Sequence, residues 1–291
     1  MVSLVVLVAS GAWVRLSSSG LGCPTWPQCT AKQLVAPAEY HALVEFVNRC
    51  VITLVGVLIA TTVASALLQR RKRRGVAWLA AGLAAGYVGE AVLGGITVLL
   101  KLNPALVAAH LVLAMLLISD AVVLHWRATG MRSPGRERSV AREQGWGARR
   151  LIDLIIAAIG LLIVAGTVAT GSGPHSGSPG TPRFPFPFAA AAEFHAVIGA
   201  FVFGTIVALG FALRMHPRWQ QANRGFFALV ILVAVQGLLG YATYFSHVQV
   251  DVTEAHVVGA ALVVVMALRL RLKVASGVRI RVSPGGQLAR P

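Results

Sequence analysis

Eight stretches of this chain are dominated by apolar residues: roughly 1–16, 40–68, 76–100, 104–126, 151–170, 189–213, 225–246 and 252–270. A segment of about 20 apolar residues crosses a hydrocarbon core of roughly 30 Å. In lipid, one segment satisfies its own backbone groups only as a helix, and no period-2 alternation points to a barrel. The pattern therefore predicts an all-α integral membrane protein with eight transmembrane helices. The first stretch is short and begins at Met1 with no basic flank. A competing reading makes it a signal peptide, with Ala9-Ser10-Gly11 as a cleavage-like site. It lacks a positive n-region, and its removal would spoil the even span count. A start codon placed too far downstream explains the shortness as well as a truly short helix does.

Composition agrees with a membrane protein. Charged residues are 12% of the chain and hydrophobic ones 56%, whereas a soluble domain carries about 25% charged residues. The net charge of +16 raises nucleic acid as a partner, but the placement of the cations argues against it. Of 26 Lys and Arg, 21 fall in four clusters, at 70–74, 127–150, 214–224 and from Arg269 onward. Arg15, Lys32, Arg49, Lys101 and Arg183 lie elsewhere. The clusters follow alternate spans and so share one face, which the positive-inside rule makes cytoplasmic. Both termini are then expected on that side. No soluble basic domain is left over for nucleic acid.

The chain also repeats itself. Glu90-Ala-Val-Leu-Gly94 is followed 20 residues after Glu90 by His110, and Gln236-Gly-Leu-Leu-Gly240 is followed 20 residues after Gln236 by His256, an offset of 146. Asn48 aligns with His195 at an offset of 147, and the neighbouring Glu-Phe pairs, Glu45-Phe46 and Glu193-Phe194, at 148. Ser19-Gly20 matches Ser172-Gly173 more loosely. The expected organisation is two pseudo-symmetric four-helix bundles, 1–126 and 151–270. A basic cytoplasmic linker, 127–150, joins them, and a basic tail, 271–291, follows.

Polar residues inside spans are expensive and usually functional. His41, His125, His175, His216 and His247 lie near span ends or in loops, where an interfacial or solvated role suffices. His110, His195 and His256 instead lie roughly 6–9 Å inside their spans, at 1.5 Å per residue. A lone intramembrane histidine can simply bond a neighbouring helix. Three at one depth, two of them related by the repeat, point to ligands. In an up-down bundle alternate helices lie diagonally, so His195 and His256 should face each other. Opposed imidazoles suit haem iron better than a bare metal, which wants three or four protein ligands. The first half offers Asn48 and His110 instead, one strong ligand and one weak or open position. Glu45, Asn48 and Arg49 share a helix face. Glu45 reads either as a proton acceptor or as the structural partner of Arg49. Glu193 and Glu254 each precede a histidine by two residues and so turn away from it. Arg15 and Arg49 are candidates to pair with haem propionates.

Cys23 and Cys29 share the first outer loop. An exported loop is an oxidising place, so they form either a disulfide or two free thiols. Zinc is disfavoured because no second close pair follows. Cys50 stands alone in a helix and reads as a packing residue.

At these residues the sequence resembles the heme A synthase family, that of the bacterial membrane haem O oxidases. The carrying stretches are GAWVRLSSSGLGCPTWPQC (11–29), EFVNR (45–49), LGGITVLLKLNP with His110 (93–110), GTVATGSGPHSG (166–177), EFH (193–195) and QGLLG with His256 (236–256). The resemblance implies an oxidoreductase in the bacterial cell membrane that turns the C8 methyl of haem O into a formyl group, giving haem A for terminal oxidases. Two successive hydroxylations would yield a geminal diol that loses water. The second bundle would hold haem b on His195 and His256. The first would receive haem O, with His110, Glu45 and Asn48 at the reacting site. The loop pair Cys23 and Cys29 carries over as a disulfide. Implied partners are the bilayer, haem O synthase, an unidentified electron acceptor and further copies of the chain.

Three departures qualify the resemblance. Asn48 stands where many relatives have His. The loop 171–188 has no cysteines. Glu90 stands where the repeat suggests Gln. Two rival readings follow: a non-catalytic membrane cytochrome b that relays electrons, favoured by Asn48, and a haem-handling or transport protein, since repeats are common in transporters.

Overall fold

A computed structural model describes residues 1–31, 35–68, 74–129, 146–214 and 219–275. The described residues form eight helices and no strand. They are α1 (Val2–Leu16), α2 (Tyr40–Leu67), α3 (Arg74–Leu99), α4 (Pro104–Ala128), α5 (Trp146–Ser172), α6 (Phe188–Arg214), α7 (Trp219–Phe245) and α8 (Val250–Ala275). Each falls on one of the apolar stretches. The cations at 70–73, most of the linker, residues 215–218 with His216, Lys32 and the tail beyond 275 lie outside the described residues.

Six helices, α2 to α7, are long and apolar enough to cross a membrane by length and composition. The other two differ in kind. α1 has 15 residues. α8 has an apolar middle, with Asp251 and Glu254 near one end and Arg269, Arg271 and Lys273 near the other. Apolar side chains cover much of the outer surface, among them Leu54, Val57 and Leu58 of α2 and Phe194, Val197 and Phe201 of α6. Such a surface suits lipid, and the chain is a multi-pass membrane protein.

Helices pack in sequence order. In the first half α1 lies on α2, α2 on α3, α3 on α4, and α4 returns to α1. In the second half α5 lies on α6, α6 on α7, α7 on α8, and α8 returns to α5. The halves meet through α1 with α8, α4 with α8, and α4 with α5. α4 and α8 are thus the central helices, and they carry His110 and His256. Lipid is as apolar as leucine, so close fit rather than water exclusion holds such helices together. Ile118, Ala121 and Val122 of α4, Ala261 and Ala267 of α8, and Ile152 and Ile155 of α5 are buried. An ion pair, Arg271 Nε to Asp153 Oδ1 at 2.5 Å, ties α8 to α5 near the end opposite the histidines.

Two tight turns position the histidine-bearing helices. Lys101 and Leu102, between α3 and α4, have φ of 55° and 58°; His247 and Val248, between α7 and α8, have φ of 55° and 65°. This left-handed region costs an L-residue about 1–2 kcal/mol. Each turn closes on the same bond: Leu102 N–H donates to Thr97 O, and Val248 N–H to Thr243 O, both at 2.8 Å. Leu102 and Val248 are both buried, so inward packing offsets the strained backbone. After the first turn Asn103 caps α4, its side chain accepting from Ala105 N–H at 3.0 Å, with Pro104 opening the helix.

Candidate functional site

His195 of α6 and His256 of α8 come together. Their ring centres are 6.1 Å apart and the ring planes lie 78° from parallel. A metal–imidazole bond is about 2.0–2.1 Å and a ring nitrogen stands roughly 1.1 Å from its ring centre, so rings flanking one ion sit roughly 6.3 Å apart. The observed separation fits an iron between the two imidazoles. His195 Nδ1 lies 3.0 Å from Leu162 O of α5. A carbonyl only accepts, so Nδ1 carries the proton and Nε2 keeps its lone pair for a metal. His256 Nδ1 is buried with no hydrogen-bond partner. Gln236 of α7 donates from Nε2 to the backbone oxygen of His256 at 2.8 Å.

Glycines make room for the rings. A Cβ on Gly166 would stand 3.0 Å from His195 Cε1, and one on Gly240 would stand 3.3 Å from His256 Cε1. Among the described residues no group of three or more His, Cys, Asp or Glu side chains gathers to hold a bare metal ion. Two imidazoles with ring centres 6.1 Å apart are a donor set that fits a metal bringing its own ring of ligands.

The first half presents a related but unequal set. A Cβ on Gly94 of α3 would stand 3.3 Å from His110 Cε1, matching the relation of Gly240 to His256. Asn48 of α2 accepts a 2.8 Å hydrogen bond at Oδ1 from Ser10 Oγ of α1. His110 Nδ1 lies 2.6 Å from Glu90 Oε2 of α3, and the His110 side chain is 41% exposed while that of Glu90 is 11%. The separation is that of a charge-assisted hydrogen bond, although the N–H direction is offset from the oxygen. Glu90 Oε1 is buried with no partner. Sequence reading singled Glu90 out only as a departure from the repeat; its contact with His110 appears once α3 and α4 are packed.

The loop before α2 is held by an unusual concentration of bonds. Cys23 and Cys29 form a disulfide, and both are fully buried. Glu45 is buried, accepting from Cys23 N–H at 2.8 Å through Oε2 and pairing with Arg49 Nη2 at 2.6 Å through Oε1. Arg49 also donates to the carbonyls of Cys23, Thr25, Pro27 and Gln28 at 3.0–3.2 Å. Both terminal nitrogens of Arg49 are therefore engaged by the loop. The indole of Trp26 lies over Gly95, where any Cβ would collide with it. Gly22 presses on the start of α2, where any Cβ would overlap the His41 carbonyl.

Arg15 lies elsewhere, at the junction of the halves. Its Nε donates to His175 O at 3.2 Å and its Nη1 to Thr170 Oγ1 at 3.5 Å. Beside it Gly20 N–H donates to Gly177 O at 2.8 Å, joining the two long loops. His175 Nε2 lies 2.9 Å from Val248 O and pins the second loop to the α7–α8 turn. Glu193 is exposed. Cys50 was expected to pack in the interior, but it is a free thiol on the exposed face of α2.

These features define a class: a helical membrane protein with two histidines paired in one half and one histidine set against a glutamate in the other. Comparison with known proteins narrows it. Residues 34–174 match the family model described as Cytochrome oxidase assembly protein. Over 107 residues the chain is 29% identical to the heme A synthase of Geobacillus kaustophilus (strain HTA426), a stretch covering 36% of this chain and 33% of that protein. The chain thus spans about a third of the length of this relative. Both matches support the heme A synthase family.

Proposed function

We propose that the protein is a heme A synthase, oxidising the C8 methyl of haem O to the formyl group of haem A. The observation that carries this reading is the inequality of the two sites. His195 and His256 stand 6.1 Å apart with glycines clearing both rings. Among the described residues no second imidazole stands opposite His110, its counterpart position being Asn48. The helix packing supports a duplicated design, since each contact in one half recurs when every helix is exchanged for the one four places away. On this reading there are two pseudo-symmetric bundles, with α1 and α8 completing eight spans.

The second bundle would hold haem b through His195 and His256. When bound, that haem supplies a one-electron carrier. Leu162 fixes the His195 tautomer, and Gln236 anchors the His256 backbone. The first bundle would receive haem O at His110, leaving its opposite face to Asn48. Bis-imidazole ligation closes a haem; a single imidazole leaves a position open for reaction.

Glu45 would take protons during methyl oxidation, and Arg49 would hold it beside the disulfide loop. Arg15, and Arg49 where a donor is free, would meet propionates. Electrons leave through an acceptor of unknown identity. The basic clusters would face the cytoplasm of a bacterial cell, both termini with them. The Ser10–Asn48 bond gives one specific argument for a second reading, a membrane cytochrome b without catalysis. Expression beside a haem O synthase separates the two. Extraction should yield haem A or its hydroxylated precursor; extracts containing only haems B and O would reject the synthase.

A further inference from the structure

The repeat pairs Glu90 with Gln236, and the structure places both residues on the histidine of the neighbouring helix. Yet they hold it in different ways. Gln236 donates to the main-chain oxygen of His256 and leaves the ring nitrogen Nδ1 unpartnered. Glu90 approaches the ring itself, Oε2 lying 2.6 Å from His110 Nδ1. One position in the third helix of each half therefore treats its histidine as backbone in one case and as imidazole in the other. At the glycines four residues on, Gly94 and Gly240, an added Cβ would stand 3.3 Å from the same rings. The difference is thus in the acidic group and not in the packing around it.

We infer that Glu90 is a positioning residue for His110: it accepts the Nδ1 proton, turns Nε2 toward bound haem O and strengthens His110 as an iron ligand. The inference rests on the proposed haem O site. Burial gives it force. The Glu90 side chain is 11% exposed, so little water competes for the ring N–H. A ligating imidazole that donates to a carboxylate has its orientation fixed and its basicity raised. The consequence is an electronic difference between the two haem sites. His110 would be the stronger electron donor to a bound haem iron, and His256 the weaker.

The test uses the full chain in detergent, loaded with haem O and reduced. The iron–histidine stretch is read by resonance Raman, and haem O affinity by titration. Glu90→Gln copies the second half and should lower the stretching frequency and weaken haem O binding by roughly 10–100-fold. Glu90→Asp keeps the carboxylate but withdraws it, and should fall between Gln and the native protein. The low-spin band of haem b at His195 and His256 should be unchanged in both and reports the fold. The inference is overturned if His110→Ala abolishes the haem O signal while both Glu90 variants keep native frequency and affinity. If His110→Ala leaves haem O binding and spectrum intact, the proposed site itself fails, and the role of Glu90 with it.

Discussion

Glu45 and Arg49, four residues apart on α2, form a 2.6 Å ion pair whose remaining bonds all run to one loop. Glu45 accepts from the Cys23 N–H, and Arg49 donates to four loop carbonyls. A buried charge stripped of its partner is costly, so Arg49→Ala should destabilise the protein by about 3–5 kcal/mol. Arg49→Lys should recover little, because a point charge cannot serve the fork of acceptors. Thermal unfolding in detergent measures both. Equal midpoints for native protein and Arg49→Ala would contradict the arrangement.

The disulfide contributes to the same loop. Opening Cys23–Cys29, whose partners are 6 residues apart, should cost about 2–3 kcal/mol, less than a long loop would lose. Unfolding with and without a membrane-permeant reductant gives the value, with Cys23→Ser/Cys29→Ser as the control. The thiol of Cys50, on a face of α2 that meets lipid, should react with a maleimide only once the protein is unfolded, and the loop cysteines only after reduction as well.

Crowding at the rings predicts a graded spectral effect. The Cβ of Gly166→Ala would meet His195 at 3.0 Å, that of Gly240→Ala would meet His256 at 3.3 Å. Gly166→Ala should therefore broaden or shift the low-spin haem b band more than Gly240→Ala. Gly94→Ala, at 3.3 Å from His110, should leave that band alone. Reduced-minus-oxidised spectra read all three.

The left-handed turns predict a gain. Lys101 and His247 are exposed at φ 55°, so their side chains gain little from packing. Lys101→Gly and His247→Gly should each stabilise by about 0.5–1 kcal/mol: relief of the backbone exceeds the entropy glycine adds to the unfolded chain. Leu102→Gly should destabilise instead, since Leu102 is buried. Midpoint shifts of opposite sign are the expected result.

Much of this was legible in the chain because apolar length dictates helices in lipid. All eight stretches became helices, and His110 and His256, 146 residues apart, each have a glycine of the preceding helix beside the ring. His195 and His256, expected to face each other, have ring centres 6.1 Å apart. What stayed hidden depends on rotation about helix axes and on loop paths. Nothing in the sequence says that Glu90 faces α4, because its neighbours on α3 are apolar all round. The clamp of Arg49 on four carbonyls is made by main-chain atoms, which leave no residue-type signal. The turns at Lys101 and His247 lack the glycine that would announce them. Cys50 looked internal because an apolar membrane helix gives no sign of which face meets lipid.

On the proposed function, one site holds a haem and the other converts one. Haem extraction from cells coexpressing haem O synthase, with the native chain and with His110→Ala, tests it most directly. His110→Ala should retain haem b on His195 and His256 and accumulate unconverted haem O. Haem A formed at native yield by His110→Ala, or haem b lost together with conversion in a variant that still folds, would contradict the division of labour.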